Sequence, residues 1–251
     1  MLERFATGAS TYAASIDHLI FLIAALVGFW FLVAEVALFW LMAKYRRRDG
    51  HAPQYVTGEE KHLTKWVTIP HFLVILCDLV IIVPAILVWM NVKQTLPPAQ
   101  ETVRIFSQQW AWSFQQPGPD GILDTADDIR TVGELHVKAN TVYHFELQSR
   151  DVLHSFSVPV FRLKQDAVPG RTITGWFKAT RTGTFDIQCT QMCGMGHGLM
   201  AGRIIVETPQ EHAAWMKRAT SPALAASAAP FHAAPYSGAA GDNTKIAEVR
   251  R

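Results

Sequence analysis

The sequence predicts a two-helix transmembrane hairpin followed by an all-β domain, a Greek-key barrel or sandwich. Two long apolar stretches predict the hairpin, and a series of short runs broken by turn residues predicts the β domain. Ile20 to Met42 holds one ionisable carboxylate, Glu35, and Val67 to Met90 is interrupted by His71 and Asp78. Each is long enough to cross about 30 Å of hydrocarbon at roughly 1.5 Å per residue. A cleaved signal peptide is the competing reading of the first stretch. Its apolar core is too long for one and Arg4 is a weak basic lead-in. Met42 is followed by Lys44-Tyr45-Arg46-Arg47-Arg48, not by a small-residue cleavage site. A retained anchor is expected.

Orientation follows from the loop between the helices, which carries Lys44, Arg46, Arg47, Arg48, Lys61 and Lys65, whereas the N-terminal segment has Arg4 alone. The positive-inside bias then places the loop in the cytoplasm and both chain ends outside, with Tyr45, Trp66 and Trp89 as interfacial anchors. The outer domain is expected in a periplasm-like space, where disulfides can form. A net charge of +2 gives no case for a nucleic-acid partner.

Pro97-Pro98 marks the exit from the second helix. Strands are expected at Thr102–Phe106, Trp110–Phe114, Gly133–Val137, Thr141–Gln148, Thr172–Lys178, Gly183–Gln188 and Gly202–Val206. Thr184-Phe185-Asp186-Ile187 alternates as a half-buried strand does. Thr208-Pro209-Gln210-Glu211 predicts a helix start, with Thr208 as cap and Glu211 closing a capping box, and the helix should run to about Arg218. The Ala/Ser/Pro/Gly-rich stretch beyond it has no periodicity and is expected to be disordered.

Function is concentrated in Cys189-Thr-Gln-Met-Cys193-Gly-Met-Gly-His197-Gly-Leu-Met200, which holds two of the three cysteines. A disulfide between Cys189 and Cys193 would be awkward across so short a turn and would leave His197 and Met200 unexplained. Zinc takes Cys and His readily, but a thioether is an unusual zinc ligand. Copper accommodates thiolate, imidazole and thioether together. Two thiolates point further, to sulfurs bridging two coppers, and such a site needs a second imidazole from elsewhere. His154 is the best candidate, in Asp151-Val-Leu-His154-Ser155 ahead of a strand-like segment.

These residues, with Pro159, Lys164-Gln-Asp166-Ala-Val-Pro169-Gly170-Arg171 and the aromatic stretch Gln109-Trp110-Ala111-Trp112, resemble subunit II of haem–copper cytochrome c oxidases over roughly residues 16 to 218. The resemblance implies a cupredoxin-like outer domain holding a dinuclear, mixed-valence copper centre, CuA. Carried over by motif position, Cys189 and Cys193 would bridge both coppers. His154 and Met200 would complete one metal, and His197 with the backbone carbonyl of Gln191 the other. The centre would take electrons from cytochrome c, with Trp110 as entry point, and pass them to haem in subunit I. Oxygen reduction there is coupled to proton translocation. Expected partners are subunit I, other oxidase subunits, cytochrome c or a similar donor, and membrane lipid. The expected location is a bacterial inner membrane with the C-terminal domain in the periplasm. The implied division is an outer segment over 1–19, a hairpin over 20–92 with helices at about 20–42 and 67–90, a CuA domain over 93–218 and a tail over 219–251.

Gln191 departs from the family pattern: many members have Glu there, whose side chain helps bind magnesium at the interface with subunit I. A neutral amide holds a hard cation less strongly, which leaves the magnesium site doubtful and the copper ligand intact. Leu63 stands where many relatives place a Glu at the mouth of a proton channel, with Glu59 and Glu60 out of register. Glu35 and Asp78 are expected to face subunit I, since charge in hydrocarbon normally faces protein or water; a proton-delivery role is the sharper alternative. The four carboxylates of Asp120, Asp124, Asp127 and Asp128 read as a solvated loop without EF-hand spacing, able to attract a basic cytochrome c. Cys77 reads as a small core or lipid-facing residue. Two further functions fit the same ligand set: the CuA subunit of a nitric oxide reductase, and a membrane-tethered copper carrier. No Cys-x-x-Cys-His occurs, so no fused c-type haem is expected.

Overall fold

A computed structural model describes residues 7–50 and 57–220. The tail and residues 51–56 of the loop between the helices therefore lie outside the described residues. Two helices open the chain: α1 spans Ala13–Lys44 and α2 spans Lys61–Trp89, the latter extended by a π-helical turn over Met90–Gln94. Both are long and apolar enough to cross a membrane. Their side chains are largely exposed, as expected of surfaces that meet lipid or other subunits. They touch where the Trp30 indole N–H donates to Cys77 Sγ at 3.1 Å, so Cys77 is a helix–helix contact. The helices run past the apolar stretches because hydropathy marks only the length inside hydrocarbon.

The outer domain is a β-sandwich of two five-stranded sheets. In one, β3(Ile129–Val132), β2(Ala111–Gln116), β1(Glu101–Gln108), β5(Val142–Ser149) and β8(Ile173–Lys178) lie side by side in that order. In the other the order is β4(Glu134–Lys138), β10(Ala201–Glu207), β9(Gly183–Cys189), β6(His154–Val158) and β7(Leu163–Ala167). Pairing is antiparallel except for β1 with β5 and β10 with β4, so both sheets need connections that cross between layers. The alternation in β1 and β5 turns Val103, Ile105, Tyr143, Phe145 and Leu147 inward. They meet Phe156, Ile187, Ile204 and Trp112 in one core.

The last helix, α3 (Pro209–Ala219), starts on the expected capping box, with Thr208 Oγ1 accepting from the Glu211 N–H and Glu211 from the Thr208 N–H. One departure concerns the N-terminal segment. Residues 9 to 13 are built into the sandwich: the Ala9 N–H donates to the Val160 carbonyl at 2.7 Å and the Thr180 N–H to the Ala9 carbonyl at 2.9 Å. Asp17, in the first turns of α1, forms a two-pronged ion pair with Arg162 at 2.6 and 3.1 Å. The start of α1 is thus tied directly to the outer domain.

Candidate metal centre

Four chain segments meet at one end of the sandwich. β6 begins with His154, β9 ends with Cys189, the loop 190–200 returns to β10, and the β1–β2 connection lays Gln109 and Trp110 over that loop. The loop is held from both sides. The Cys189 N–H donates to the Met200 carbonyl and the Thr190 N–H to the Ser155 carbonyl, while one 3-10 turn, His197–Leu199, brings His197 and Met200 back toward the cysteines.

The donor atoms converge. Cys189 Sγ and Cys193 Sγ are 3.8 Å apart, well beyond the roughly 2.05 Å of a disulfide, and both thiols are free. Cys189 Sγ lies 3.9 Å from His154 Nδ1 and 3.3 Å from the Gln191 carbonyl oxygen. Cys193 Sγ lies 3.6 Å from His197 Nδ1 and 3.8 Å from Met200 Sδ. Each sulfur therefore has one imidazole nitrogen and one weaker donor beside it. Two ligands at about 2.0–2.3 Å from a common ion stand at such separations, and the thiolate, imidazole and thioether donors make the set soft. His154, Cys189 and Cys193 are the group of converging metal-ligand residues among the described residues. The acidic loop makes no such group: Asp124 is bound by Arg104 and Gln115, Asp128 by Gln115, and Asp127 by Thr125.

The surroundings are dry and oriented. His154 is wholly buried, with Trp112 edge-on at 6.3 Å. Its Nε2 meets Asp151 Oδ1 at 2.8 Å, which leaves Nδ1 facing sulfur. Burial alone would raise the Asp151 carboxyl; hydrogen bonds from the Gln109 N–H, His154 and the Val152 N–H outweigh it and hold the group below the usual carboxylate range. Burial, with Cys189 alongside, pushes the Cys193 thiol up to about 11, so metal binding must displace its proton. Gln109 Nε2 and the Trp110 indole N–H both donate to the Cys193 carbonyl, at 2.8 and 3.2 Å.

The glycines explain how close that contact is. A Cβ on Gly196 would lie 2.3 Å from the Trp110 ring, and Gly194, at φ +116°, is 2.8 Å from Gln109 Nε2 by the same measure. Comparison with known proteins gives the family. The family model for cytochrome c oxidase subunit II, periplasmic domain, matches residues 101–208. The alternative cytochrome c oxidase subunit 2 of Bradyrhizobium diazoefficiens is 31% identical over 226 residues, 81% of this chain and 79% of that protein. The chain belongs to the cytochrome c oxidase subunit 2 family. Cytochrome c oxidase subunit 2 of Thermostichus vulcanus is 40% identical over 126 residues, 49% of this chain and 36% of that protein. The crystal structure of the periplasmic domain of subunit II of cytochrome oxidase from Bradyrhizobium japonicum shares 31% identity and covers 50% of this chain and 96% of that one, with a TM-score of 0.45.

For this subunit 2 chain, the structure brings His154, Cys189, Gln191, Cys193, His197 and Met200 into one cluster and sets Trp110 against it. Asp151, Gln109, Gly194 and Gly196 are the supporting residues for which the sequence reading assigned no role. The signal for Asp151 was its spacing three residues before a candidate histidine ligand.

Proposed function

We propose that the chain is the electron-entry subunit of a cytochrome c oxidase. It would accept electrons from a c-type cytochrome and deliver them to haem in subunit I, where oxygen is reduced to water and protons are translocated. The observation that carries this reading is the paired donor set, two thiols each flanked by an imidazole and a weaker ligand within 3.3–3.9 Å. Cys189 and Cys193 would bridge two coppers, His154 and Met200 completing one and His197 and the Gln191 carbonyl the other. When bound, the copper pair supplies a one-electron relay with the odd electron spread over shared thiolates.

The chain's own residues keep that relay in one geometry. Asp151 fixes the His154 ring, Gln109 and Trp110 pin the Cys193 carbonyl, and the buried Trp112 and Met200 exclude water from one side. Trp110 is 40% exposed while its indole touches the loop backbone, so a docked donor could contact it directly. No magnesium ligand is assigned to Gln191. The two membrane helices would anchor the chain in a bacterial inner membrane with the sandwich in the periplasm, and their exposed faces would dock on subunit I.

Stopped-flow reduction of the copper-loaded full chain by a reduced c-type cytochrome tests the proposal. The copper centre should take up one electron per chain. Trp110→Gln should slow uptake about 30-fold, as expected for roughly 2 kcal/mol of lost hot-spot contact, and leave the copper spectrum unchanged. A chain that binds copper but accepts no electron would contradict the relay, and unchanged uptake in Trp110→Gln would remove that residue's role.

A further inference from the structure

We propose that Met192 and Met195 form an outer capture site for Cu(I), from which copper passes inward to the buried metal centre. The inference rests on the copper reading of that centre and adds the route by which it is filled. Three of the chain's seven methionines lie between residues 192 and 200. Met200 is buried against Cys193, whereas Met192 and Met195 are 74% and 98% exposed. Thioether sulfur is a soft donor that selects Cu(I), and it carries no proton for the metal to displace. A purely apolar surface would be served as well by leucine, as at Leu199 beside them.

The inner donors are closed to a metal arriving from solvent. His154, Met200 and Cys193 are 0%, 2% and 3% exposed, and Cys189 is buried with them. His197 is the half-buried member of the set, and its Nδ1 lies 3.6 Å from Cys193 Sγ. The donors therefore form a series from outside to inside: two exposed thioethers, then the His197 imidazole, then the thiols with Met200. Met192 immediately precedes Cys193, and Met195 stands two residues from both Cys193 and His197, so each step along the series is short.

One turn carries the outer pair. Gly194, at φ +116°, bends the chain between the two methionines, and the His197 N–H closes on the Gly194 carbonyl at 3.1 Å. The backbone beneath them is fixed, because Gln109 and Trp110 both donate to the Cys193 carbonyl. A methionine side chain is unbranched and flexible, so two sulfurs borne on one short turn have the reach to close on a common ion. Residues 190–202 contain no Asp, Glu, Lys or Arg. The loop thus offers no carboxylate to a hard cation and no positive charge to repel Cu(I). The transfer is ligand exchange without redox change: a thioether–Cu(I) bond breaks, a thiolate–Cu(I) bond forms, and the thiol proton goes to water.

The test follows copper uptake by the metal-free full chain in nanodiscs, without oxygen and with the cysteines reduced. Cu(I) is supplied as its complex with a coloured chelator, and the fading of that colour gives the loading rate. Met192→Leu/Met195→Leu keeps the apolar surface and removes only the two sulfurs. Loading of this double variant should be slower by about tenfold or more, since the final transfer loses its intramolecular start. Met195→Leu alone should lose less. The copper count at saturation and the resonance spectrum of the filled centre should match the parent chain in every variant. Both methionines are exposed, so the leucines leave the sandwich core untouched. An unchanged loading rate in the double variant would overturn the inference and leave the copper reading standing. A lower final copper count would also overturn it, by making the two thioethers resident ligands. A parent chain that takes up no copper would sink the copper reading itself.

Discussion

Asp151 joins three segments through one carboxylate, and at the residue scale it is the side chain whose loss should be felt most at the imidazole side. Asp151→Asn keeps the size of the group but removes the anion that orients His154. Carboxylate partners of metal-binding histidines contribute about 10- to 100-fold in metal affinity, so copper retention against a competing chelator should fall by that order. Retention equal to the parent chain would show that His154 is not held by Asp151 when metal is bound. Gly196 gives the second prediction. A methyl there must displace the Trp110 ring, 2.3 Å away, so Gly196→Ala should slow electron uptake as Trp110→Gln does. The double variant should be no slower than either single one; additive losses would separate the two positions. The ligand residues were legible in the sequence because all six named donors fall within two short motifs, residues 151–155 and 189–200. The glycines and Gln109 were not, since their role exists only once the β1–β2 turn is laid over the 190–200 loop.

At the scale of elements, the seven expected strands overlap seven of the ten observed, and the three others had physical reasons to be missed. β6 reads His-Ser-Phe-Ser-Val and is marked in the sequence only as an unbounded strand-like segment after His154; all five residues are buried, a burial its polar side chains do not announce. β7 is a polar edge strand and β3 is a four-residue edge strand. The capping box, by contrast, is a local signal and was legible. What holds α3 on the sheet was not. Glu207 accepts from the ring nitrogens Nδ1 of both His136 and His212 at 3.0 Å, and His136 stacks on Trp215 at 4.3 Å. His212 is buried and its Nε2 has no hydrogen-bond partner among the described residues. Burial lowers its pKa below the ordinary 6.5, against the opposing pull of Glu207. A depressed histidine pKa means that the unfolded chain binds the proton first. The stability contribution is complete above about pH 6.5 and declines as pH falls below that value. Thermal unfolding of the outer domain should therefore shift downward between pH 6.5 and 5, and His212→Gln should flatten that part of the profile. An identical pH profile in the variant would contradict the assignment.

Over the whole molecule, the chain is a sandwich secured to its membrane hairpin at both ends of the hairpin. Residues 9 to 13 and the Asp17–Arg162 pair secure the start of α1. On the other side the Trp176 indole N–H donates to the Val92 carbonyl and Lys93 Nζ to Gln165 Oε1. Two tethers of this kind restrict how the metal-site end of the sandwich can tilt against the hairpin, as the proposed relay to a partner in the bilayer would require. Hydropathy made the hairpin legible, but the N-terminal tether was not, because Ala9, Ser10 and Tyr12 carry no pattern until β8 lies beside them. At the metal end of the sandwich the two cysteines are proposed to hold a pair of coppers sharing one electron. The direct measurement is copper per chain on the purified full-length protein, together with its electron paramagnetic resonance spectrum. Two coppers and a seven-line pattern, from an electron shared equally between them, are expected. One copper with a four-line signal, or bound zinc, would contradict that proposal.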